Sequence, residues 1–135
     1  MVDDEPTEVV RAVYEAIERV DHPAVTERFG SDVRWQQAAR AVPAAGSQLH
    51  GPAEPVEQVL RPFEDDWDGF TEERHRVRSL GATVVVEGVY RGRYRPTGRL
   101  LEAEFCHLWT VRDGQVVDFR QYTDTAAFQQ VMQQQ

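Results

Sequence analysis

The sequence contains no lysine and no asparagine, and it contains isoleucine and cysteine only once each, at Ile17 and Cys106. All fifteen basic side chains are therefore arginines. Two explanations of this composition stay open. One is a GC-rich genome, which avoids codons that begin with AA, and the other is adaptation to high salt, where an excess of carboxylates keeps a protein soluble.

The scarcity of cysteine, apolar runs and positive charge excludes several classes of protein. A single cysteine rules out an internal disulfide or an all-cysteine zinc site and is typical of a reducing compartment. No apolar run approaches the roughly 18 residues of a membrane span, and the acidic start at residues 1–5 does not resemble a signal peptide. The 15 basic and 23 acidic residues give a net charge of −8, which argues against nucleic acid or a membrane surface as partner. We expect a cytoplasmic protein with one domain, 1–135.

Motifs for cofactors and metals are also missing. The sequence has no metal-ligand spacing, no nucleotide-binding glycine loop and no nucleophile elbow. These absences predict a protein with no metal and no cofactor.

Apolar periodicity and turn signals predict the order of elements. Residues 5–20 form an amphipathic helix, and Asp21 is the N-cap of a short second helix that ends at residues 29–30. A strand over 31–37 and a loop over 38–51 lead to a third helix over 52–64, with a kink or an early end at Pro62. Four strands follow, over 71–79, 83–93, 100–112 and 116–123, and Asp124 opens a final helix. Helices first and strands after predict an α+β domain, with the helices on one face of a curved antiparallel sheet.

The hairpin near Gly114 decides which side chains face the helices. A two-residue turn would place His107 opposite Arg120, and a three-residue turn would place it opposite Phe119. Only the pairing of odd with odd positions buries the apolar residues of both strands on one face. We therefore predict the three-residue turn.

The resulting concave face combines aromatic walls with a few polar groups, as a small-molecule site requires. Its predicted members are Trp35, Gln37, His75, Tyr90, Phe105, His107, Trp109, Phe119 and Gln121. Apart from Asp124 at the rim, this face is predicted to contain no carboxylate. The expected partner is a small-molecule ligand or substrate.

Several segments carry a family resemblance. They are 87–92 (EGVYRG), 96–99 (PTGR), 107–124, which begins HLWTVRDG and ends QYTD, and an early pattern with YEA at 14–16 and Trp35. Together they resemble SnoaL-like proteins of the nuclear-transport-factor-2-like superfamily, which includes polyketide cyclases, ketosteroid isomerases, scytalone dehydratases and limonene epoxide hydrolases. The resemblance implies a cone-shaped curved antiparallel sheet with three to four helices on its concave face, enclosing a cavity.

The known chemistries of the superfamily do not transfer intact. Ketosteroid isomerases have a carboxylate base where this chain has Gln37. The carboxylic acid of their oxyanion hole falls close to His107, and the tyrosine of that hole lies within one residue of Tyr14. Tyr14 is therefore added to the predicted pocket. Glutamine cannot take up a proton at neutral pH, so the glutamines of the site are expected to orient a substrate or a water. In place of the arginine and two aspartates of limonene epoxide hydrolases, this chain has Gly88, Tyr90 and Gln121.

Three residues are candidates for catalysis. His107 can titrate near neutrality and serve as acid or base, or it can be a buried histidine bonded to backbone or to Gln121. Asp124 is either the general base that the resemblance to polyketide cyclases implies or a helix N-cap. Tyr90 is either a donor to an oxyanion or a core tyrosine.

Two functions follow as expectations. The first is a cofactor-independent isomerase, cyclase or dehydratase that acts by general acid–base chemistry on an apolar carbonyl-bearing substrate. The second is a non-catalytic ligand-binding or dimerisation module of the same fold. The resemblance also implies a homodimer through the outer sheet face, where Cys106, Leu108 and Tyr122 point outward.

Overall fold

The computed structural model describes residues 5–133, which form four helices and one six-stranded sheet. The helices are α1 (Glu5–Glu18), α2 (His22–Glu27), α3 (53–65) and α4 (Thr125–Met132). The strands are β1 (Phe29–Gln36), β2 (Gln48–His50), β3 (Trp67–Leu80), β4 (Thr83–Tyr94), β5 (Leu100–Arg112) and β6 (Gln115–Thr123).

The predicted α+β architecture is confirmed, with a curled, unclosed sheet and helices on its concave side. The strand order is β2-β1-β6-β5-β4-β3. All neighbouring strands are antiparallel except β1 and β6, which are parallel. The short β2 lies inside the segment 38–51 that the sequence predicts as a loop, and it adds the edge strand beside β1.

Local signals set the ends of the helices. The Asp21 side chain accepts a hydrogen bond from the Ala24 amide, at 3.2 Å, and so caps α2 as predicted. In α3, the π-helical segment Val56–Leu60 separates the α-helical segments Ala53–Pro55 and Arg61–Asp65. Pro62 has no amide proton to donate to the preceding turn, and the widened π turn lies directly before it. The helix is therefore irregular there, but it does not end.

The turn between β5 and β6 differs from the prediction. Asp113 and Gly114 have φ values of 53° and 75° and form a two-residue turn. A one-residue bulge in β6 then shifts the pairing, so that His107 lies opposite Gln121. The predicted three-residue turn and the pairing of His107 with Phe119 are wrong. Odd positions still face odd positions, because the bulge restores the parity that the turn alone would break.

A second bulge, in β3, changes which residues face the helices. Arg74 pairs with Gly88 and Arg76 pairs with Glu87, so His75 is an extra residue without an opposite partner. Because side chains alternate along a strand, one extra residue exchanges the two faces of β3 on either side of it. From Arg74 back to Phe70, even-numbered residues of β3 therefore face the concave side, and a further irregularity between Asp68 and Thr71 brings the odd-numbered Trp67 into the core.

The β3 bulge depends on close backbone approach at Gly88. A Cβ at this position would overlap the backbone carbonyl oxygen of Glu73 and lie 2.8 Å from the Phe105 ring. A glycine inside a strand commonly marks such a site. The backbone of β3 can bulge toward β4 only because residue 88 has no side chain.

We predict that Gly88→Ala destabilises the protein by about 3 kcal/mol, because the obstacle to the new methyl group is backbone. Urea denaturation measures the free energy of unfolding. Gly30→Ala is the matched control, since a Cβ there has its nearest neighbour at 3.4 Å. Equal stability of the two variants would contradict the proposed role of Gly88.

The outer face of the sheet carries the residues expected at a dimer interface. Cys106 is half-buried and Tyr122 is 49% exposed. The homodimer through this face stays a prediction, as does the cytoplasmic location. Within residues 5–133, none of the helices is long and apolar enough to cross a membrane.

Candidate active site

A small inner cavity lies between the helices and the concave face of the sheet. Its volume is about 20 Å³, which is room for about one water molecule. Seven predicted pocket residues line it: Trp35, Gln37, Tyr90, His107, Trp109, Phe119 and Gln121. Five further residues complete the lining: Ile17, Val59, Leu60, Phe63 and Glu72.

A larger cleft of about 690 Å³ leads to the inner cavity and opens to solvent. It lies between the end of α1, α3 and the first half of β3. Four residues line both spaces: Ile17, Leu60, Phe63 and Glu72. The volume of the cleft is typical of small-molecule sites, so a ligand can lie in the cleft with one end at the inner cavity.

His107 lies at the centre of a chain of buried hydrogen bonds. The imidazole Nδ1 is 2.6 Å from the Tyr14 hydroxyl, and Nε2 is 2.5 Å from the Tyr90 hydroxyl. The His107 and Tyr90 side chains are each 1% exposed. The Phe105 ring stacks on the imidazole, with centroids 4.2 Å apart. Both ring nitrogens therefore have partners, and the ring orientation is fixed by packing.

At each end of this hydrogen-bonded chain is a hydrogen-bond donor. The Trp109 indole N–H donates to the Tyr14 hydroxyl at 2.9 Å, and the Gln121 amide donates to the Tyr90 hydroxyl at 3.0 Å. The Gln121 carbonyl oxygen accepts the Ala38 backbone N–H at 3.1 Å.

Gln37 belongs to a separate hydrogen-bonded pair. Its carbonyl oxygen accepts the Trp35 indole N–H at 2.7 Å, and its amide donates to the Pro43 carbonyl at 3.0 Å. Gln37 therefore holds the β1 wall and the following loop together.

Burial determines the protonation states of His107, Tyr14 and Tyr90. It lowers the pKa of His107 to about 3, because a charged imidazole would lose its hydration. Burial, with the nearby Glu72 carboxylate, raises the pKa of Tyr14 and of Tyr90 well above 10.0. At neutral pH the imidazole is neutral and both tyrosines keep their protons. His107 thus suits the role of a positioning group better than that of an acid or base.

Glu72 is the carboxylate of the site that the sequence analysis missed. It lies opposite Tyr90 in the β3–β4 ladder and lines both cavities. Burial raises the pKa of Glu72 to about 7; the Arg74 guanidinium opposes this shift, and the Glu18 carboxylate adds to it. Near neutral pH, Glu72 is therefore ionised in about half of the protein molecules.

The neighbouring acidic residues differ from Glu72 in that each has a cationic or imidazole partner. The pairs are Glu18 with Arg74 at 2.9 Å, Glu64 with His22 at 2.8 Å, Asp68 with Arg95 at 2.7 Å and Glu73 with Arg91 at 2.7 Å. Among the residues that the structure describes, Glu72 makes neither an ion pair nor a hydrogen bond. Its oxygens are available to a ligand.

Two predicted site residues lie elsewhere. His75 is the bulge residue of β3; it is exposed and lies 3.5 Å from Glu73, at the outer face of the sheet. Asp124 is exposed and accepts the Ala127 amide at 3.1 Å, so it caps α4 and lines neither cavity. The prediction that the concave face lacks other carboxylates is wrong, because the bulge turns Glu72 inward.

Tyr14 and Phe105 belong to the site without lining the inner cavity. Tyr14 contacts the chain from α1, and Phe105 supports the imidazole. Within residues 5–133, no group of three or more His, Cys, Asp or Glu side chains could hold a metal ion.

The family model for SnoaL-like domains matches residues 10–119. The chain belongs to the SnoaL-like family. A nuclear-transport-factor-2-like protein from Burkholderia thailandensis is 33% identical, with a TM-score of 0.88 over 96% of this chain and 98% of that one. No curated protein matches the sequence.

More distant structures share the fold of this SnoaL-like domain. TerC, co-crystallised with polyporic acid, is 22% identical, with a TM-score of 0.80 over 94% of this chain and 97% of that one. An LEH-like epoxide hydrolase from M. tuberculosis is 21% identical, with a TM-score of 0.77 over 98% of this chain and 92% of that one. At these identities the likeness shows the fold alone.

We predict that His107 of this SnoaL-like domain does not titrate between pH 8 and pH 5, because its pKa is about 3. The imidazole carbon and proton signals, followed by NMR, should stay constant over this range. In urea, the same signals should titrate near the ordinary value of about 6.5. An inflection between pH 5 and 8 in the folded protein would contradict a neutral, buried imidazole.

We predict that Glu72→Gln stabilises the domain at high pH. The pKa of about 7 in the fold exceeds the ordinary 4.5, so the folded protein binds this proton more tightly than the unfolded chain. Ionisation above pH 7 therefore costs the native state roughly 2–3 kcal/mol. Urea denaturation at pH 8.5 should show the variant more stable by about that amount, and the difference should vanish below pH 4.5.

The control for this measurement is Glu73→Gln, the adjacent carboxylate on the outer face. Its loss removes an exposed ion pair with Arg91, which contributes little to stability. A gain for Glu73→Gln equal to that for Glu72→Gln would show that the effect is not due to burial.

Proposed function

We propose that this SnoaL-like protein catalyses proton transfer at the carbon next to a carbonyl group of a small, largely apolar substrate, without a cofactor. The observation that carries the proposal is the Glu72 carboxylate, which has a pKa of about 7 and lies unpaired between the cleft and the inner cavity. A general base is most effective when its pKa is near the working pH.

The surroundings of Glu72 support a base in an apolar site. The α3 side chains Leu60 and Phe63 line both cavities with it. Such walls exclude water and strengthen electrostatic interactions with the reacting atoms. The same walls favour a substrate with a mostly hydrocarbon surface.

The chemical step takes one proton and returns it. Glu72 removes a proton from the carbon, the C–H electron pair forms the enolate double bond, and the carbonyl π electrons move to oxygen. Where the enolate is conjugated with a carbon–carbon double bond, return of the proton to the far carbon gives an isomer. Attack of the enolate on a second carbonyl of the same molecule closes a ring, and the alkoxide formed takes the proton from Glu72. Where a hydroxyl group is on the β carbon, it leaves with that proton as water. The three reaction classes expected from the sequence share this first step.

The test is hydrogen–deuterium exchange of 2-tetralone, an apolar bicyclic ketone, in D₂O, followed by proton NMR. The protein should accelerate exchange of the protons next to the carbonyl, with an inflection near pH 7 as Glu72 ionises. Glu72→Gln should lower the protein-dependent rate by a factor of about 10² or more. Binding of 2-tetralone with no acceleration of its exchange would overturn the proposal.

Glu73→Gln is again the matched control, since it removes an adjacent carboxylate that is already paired with Arg91 and does not line the inner cavity. Its exchange rate should equal that of the parent protein. Equal losses in the two variants would assign the effect to the net charge of the domain and contradict a base at Glu72.

The second candidate is a ligand-binding module without catalysis. It is favoured by the pairing of the fully enclosed polar atoms: among the described residues, every such side-chain nitrogen or oxygen has a hydrogen-bond partner, and the Glu72 oxygens, which are not fully enclosed, are not among them. A pure binding site predicts that Glu72→Gln keeps or improves the affinity for an apolar ketone and that no exchange occurs in either protein.

A further inference from the structure

The hydrogen-bonded chain around His107 contains one more proton than its internal bonds can use. With a neutral imidazole, Tyr14, His107 and Tyr90 each carry one polar proton. Only two bonds join these three groups, at 2.6 Å and 2.5 Å, and each bond takes one proton. Because the imidazole N–H must point at one of the tyrosines, the spare proton belongs to a tyrosine hydroxyl.

Neither end of the chain can accept the spare proton. The Trp109 indole is a donor only. At the other end, the backbone N–H of Ala38 has to be met by the carbonyl oxygen of Gln121, and this orients the amide nitrogen of Gln121 toward Tyr90. The assignment of the amide therefore follows from a backbone group that can only donate.

The imidazole tautomer decides which tyrosine holds the spare proton. With the proton on Nδ1, the Tyr14 hydroxyl accepts from both Trp109 and His107, and its own proton needs another acceptor. Tyr14 is 1% exposed, lines neither the cleft nor the inner cavity, and has only these two side-chain partners among the described residues. A buried hydroxyl proton without an acceptor is unfavourable.

With the proton on Nε2, the roles are reversed. Tyr14 donates to Nδ1, and the Tyr90 hydroxyl accepts from both His107 and Gln121. The spare proton is then on Tyr90, which lines the inner cavity. A water molecule or a ligand oxygen in that cavity can accept it, so this tautomer satisfies every group of the chain.

We propose that Tyr90 donates its hydroxyl proton to a ligand oxygen in the inner cavity, and that His107 establishes this donor by carrying its own proton on Nε2. Tyr90 is thereby a catalytic residue that stabilises negative charge on the oxygen, and His107 is a positioning residue. The inference rests on the proposed function for the ligand class, a neutral apolar carbonyl compound.

The dimensions of the site agree with this ligand. The inner cavity of about 20 Å³ admits one oxygen-sized group, and the cleft of about 690 Å³ admits the hydrocarbon body. Glu72 lies opposite Tyr90 in the ladder and lines the same inner cavity. A ligand whose carbonyl oxygen accepts from Tyr90 therefore shares this cavity with the carboxylate, which also lines the cleft that admits the rest of the ligand.

The first test is the tautomer of His107 in the unliganded parent protein. Nitrogen-15 NMR distinguishes a protonated Nε2 from a protonated Nδ1 without any substitution. We expect Nε2 to carry the proton at pH 7. A protonated Nδ1 would overturn the inference, because the spare proton would then be on Tyr14.

The second test is the infrared carbonyl stretch of bound 2-tetralone labelled with carbon-13 at the carbonyl. A hydrogen bond from Tyr90 should shift the band to lower wavenumber than in an apolar solvent. Tyr90→Phe should remove the shift and weaken binding about two- to tenfold. Tyr94→Phe is the matched control: it removes a tyrosine hydroxyl from the same strand, but Tyr94 lines neither the cleft nor the inner cavity, so the shift should stay.

The result separates this inference from the proposed function. An unshifted band in the parent protein, or equal loss of the shift in both variants, would overturn the donor role of Tyr90. Those outcomes leave the effect of Glu72→Gln on deuterium exchange unaffected. Conversely, absence of exchange with a shifted band would overturn the proposed catalysis and leave the donor in place.

Discussion

Two N–H groups that can only donate, the Trp109 indole and the Ala38 amide, determine the polarity of the whole site. Each begins a chain of hydrogen bonds. The first runs from Trp109 through Tyr14 and His107, the second runs from Ala38 through Gln121, and the two meet at the Tyr90 hydroxyl. Because both begin with donors, the imidazole between them can remain neutral with both nitrogens paired. A charged imidazole would place one more proton in a chain that already has a surplus, and burial opposes the charge as well.

The unpaired Glu72 carboxylate opposes folding, whereas every group in the hydrogen-bonded series around His107 has a partner. Ionised Glu72 is unfavourable in the fold because its surroundings supply no hydrogen-bond donor and only a partly compensating cation at Arg74. A domain of this size has a net stability of only about 5–15 kcal/mol. The free-energy cost of ionising Glu72 in the fold is an appreciable fraction of that stability. Destabilising groups of this kind concentrate at functional sites, where a perturbed pKa serves the chemistry.

The sequence was sufficient to predict the fold and most of the inner cavity, since both depend on apolar alternation and turn signals. Tyr90, His107 and Gln121 are in the cavity because alternation survives even where the hairpin register is mispredicted. Alternation could not predict Glu72, because one extra residue in β3 exchanges its faces. The available signal was Gly88, a glycine within a strand, which points to a bulge or a close backbone approach but does not say which strand moves.

The β3 bulge chooses between two possible sites. In a regular ladder continuing from the Leu80–Thr83 pair, Glu73 would lie opposite Tyr90, and His75 would face the helices. With the bulge, Glu73 pairs with Arg91 outside, while Arg74 enters the concave side and contacts the Tyr14 ring at 4.6 Å. Either arrangement brings a carboxylate to Tyr90. Only the observed arrangement also brings Arg74 to the concave side, where its positive charge limits the rise in the pKa of Glu72. The observed arrangement also keeps His75 out of the cavity. Proton transfer in the cavity therefore depends on a single titrating group, Glu72.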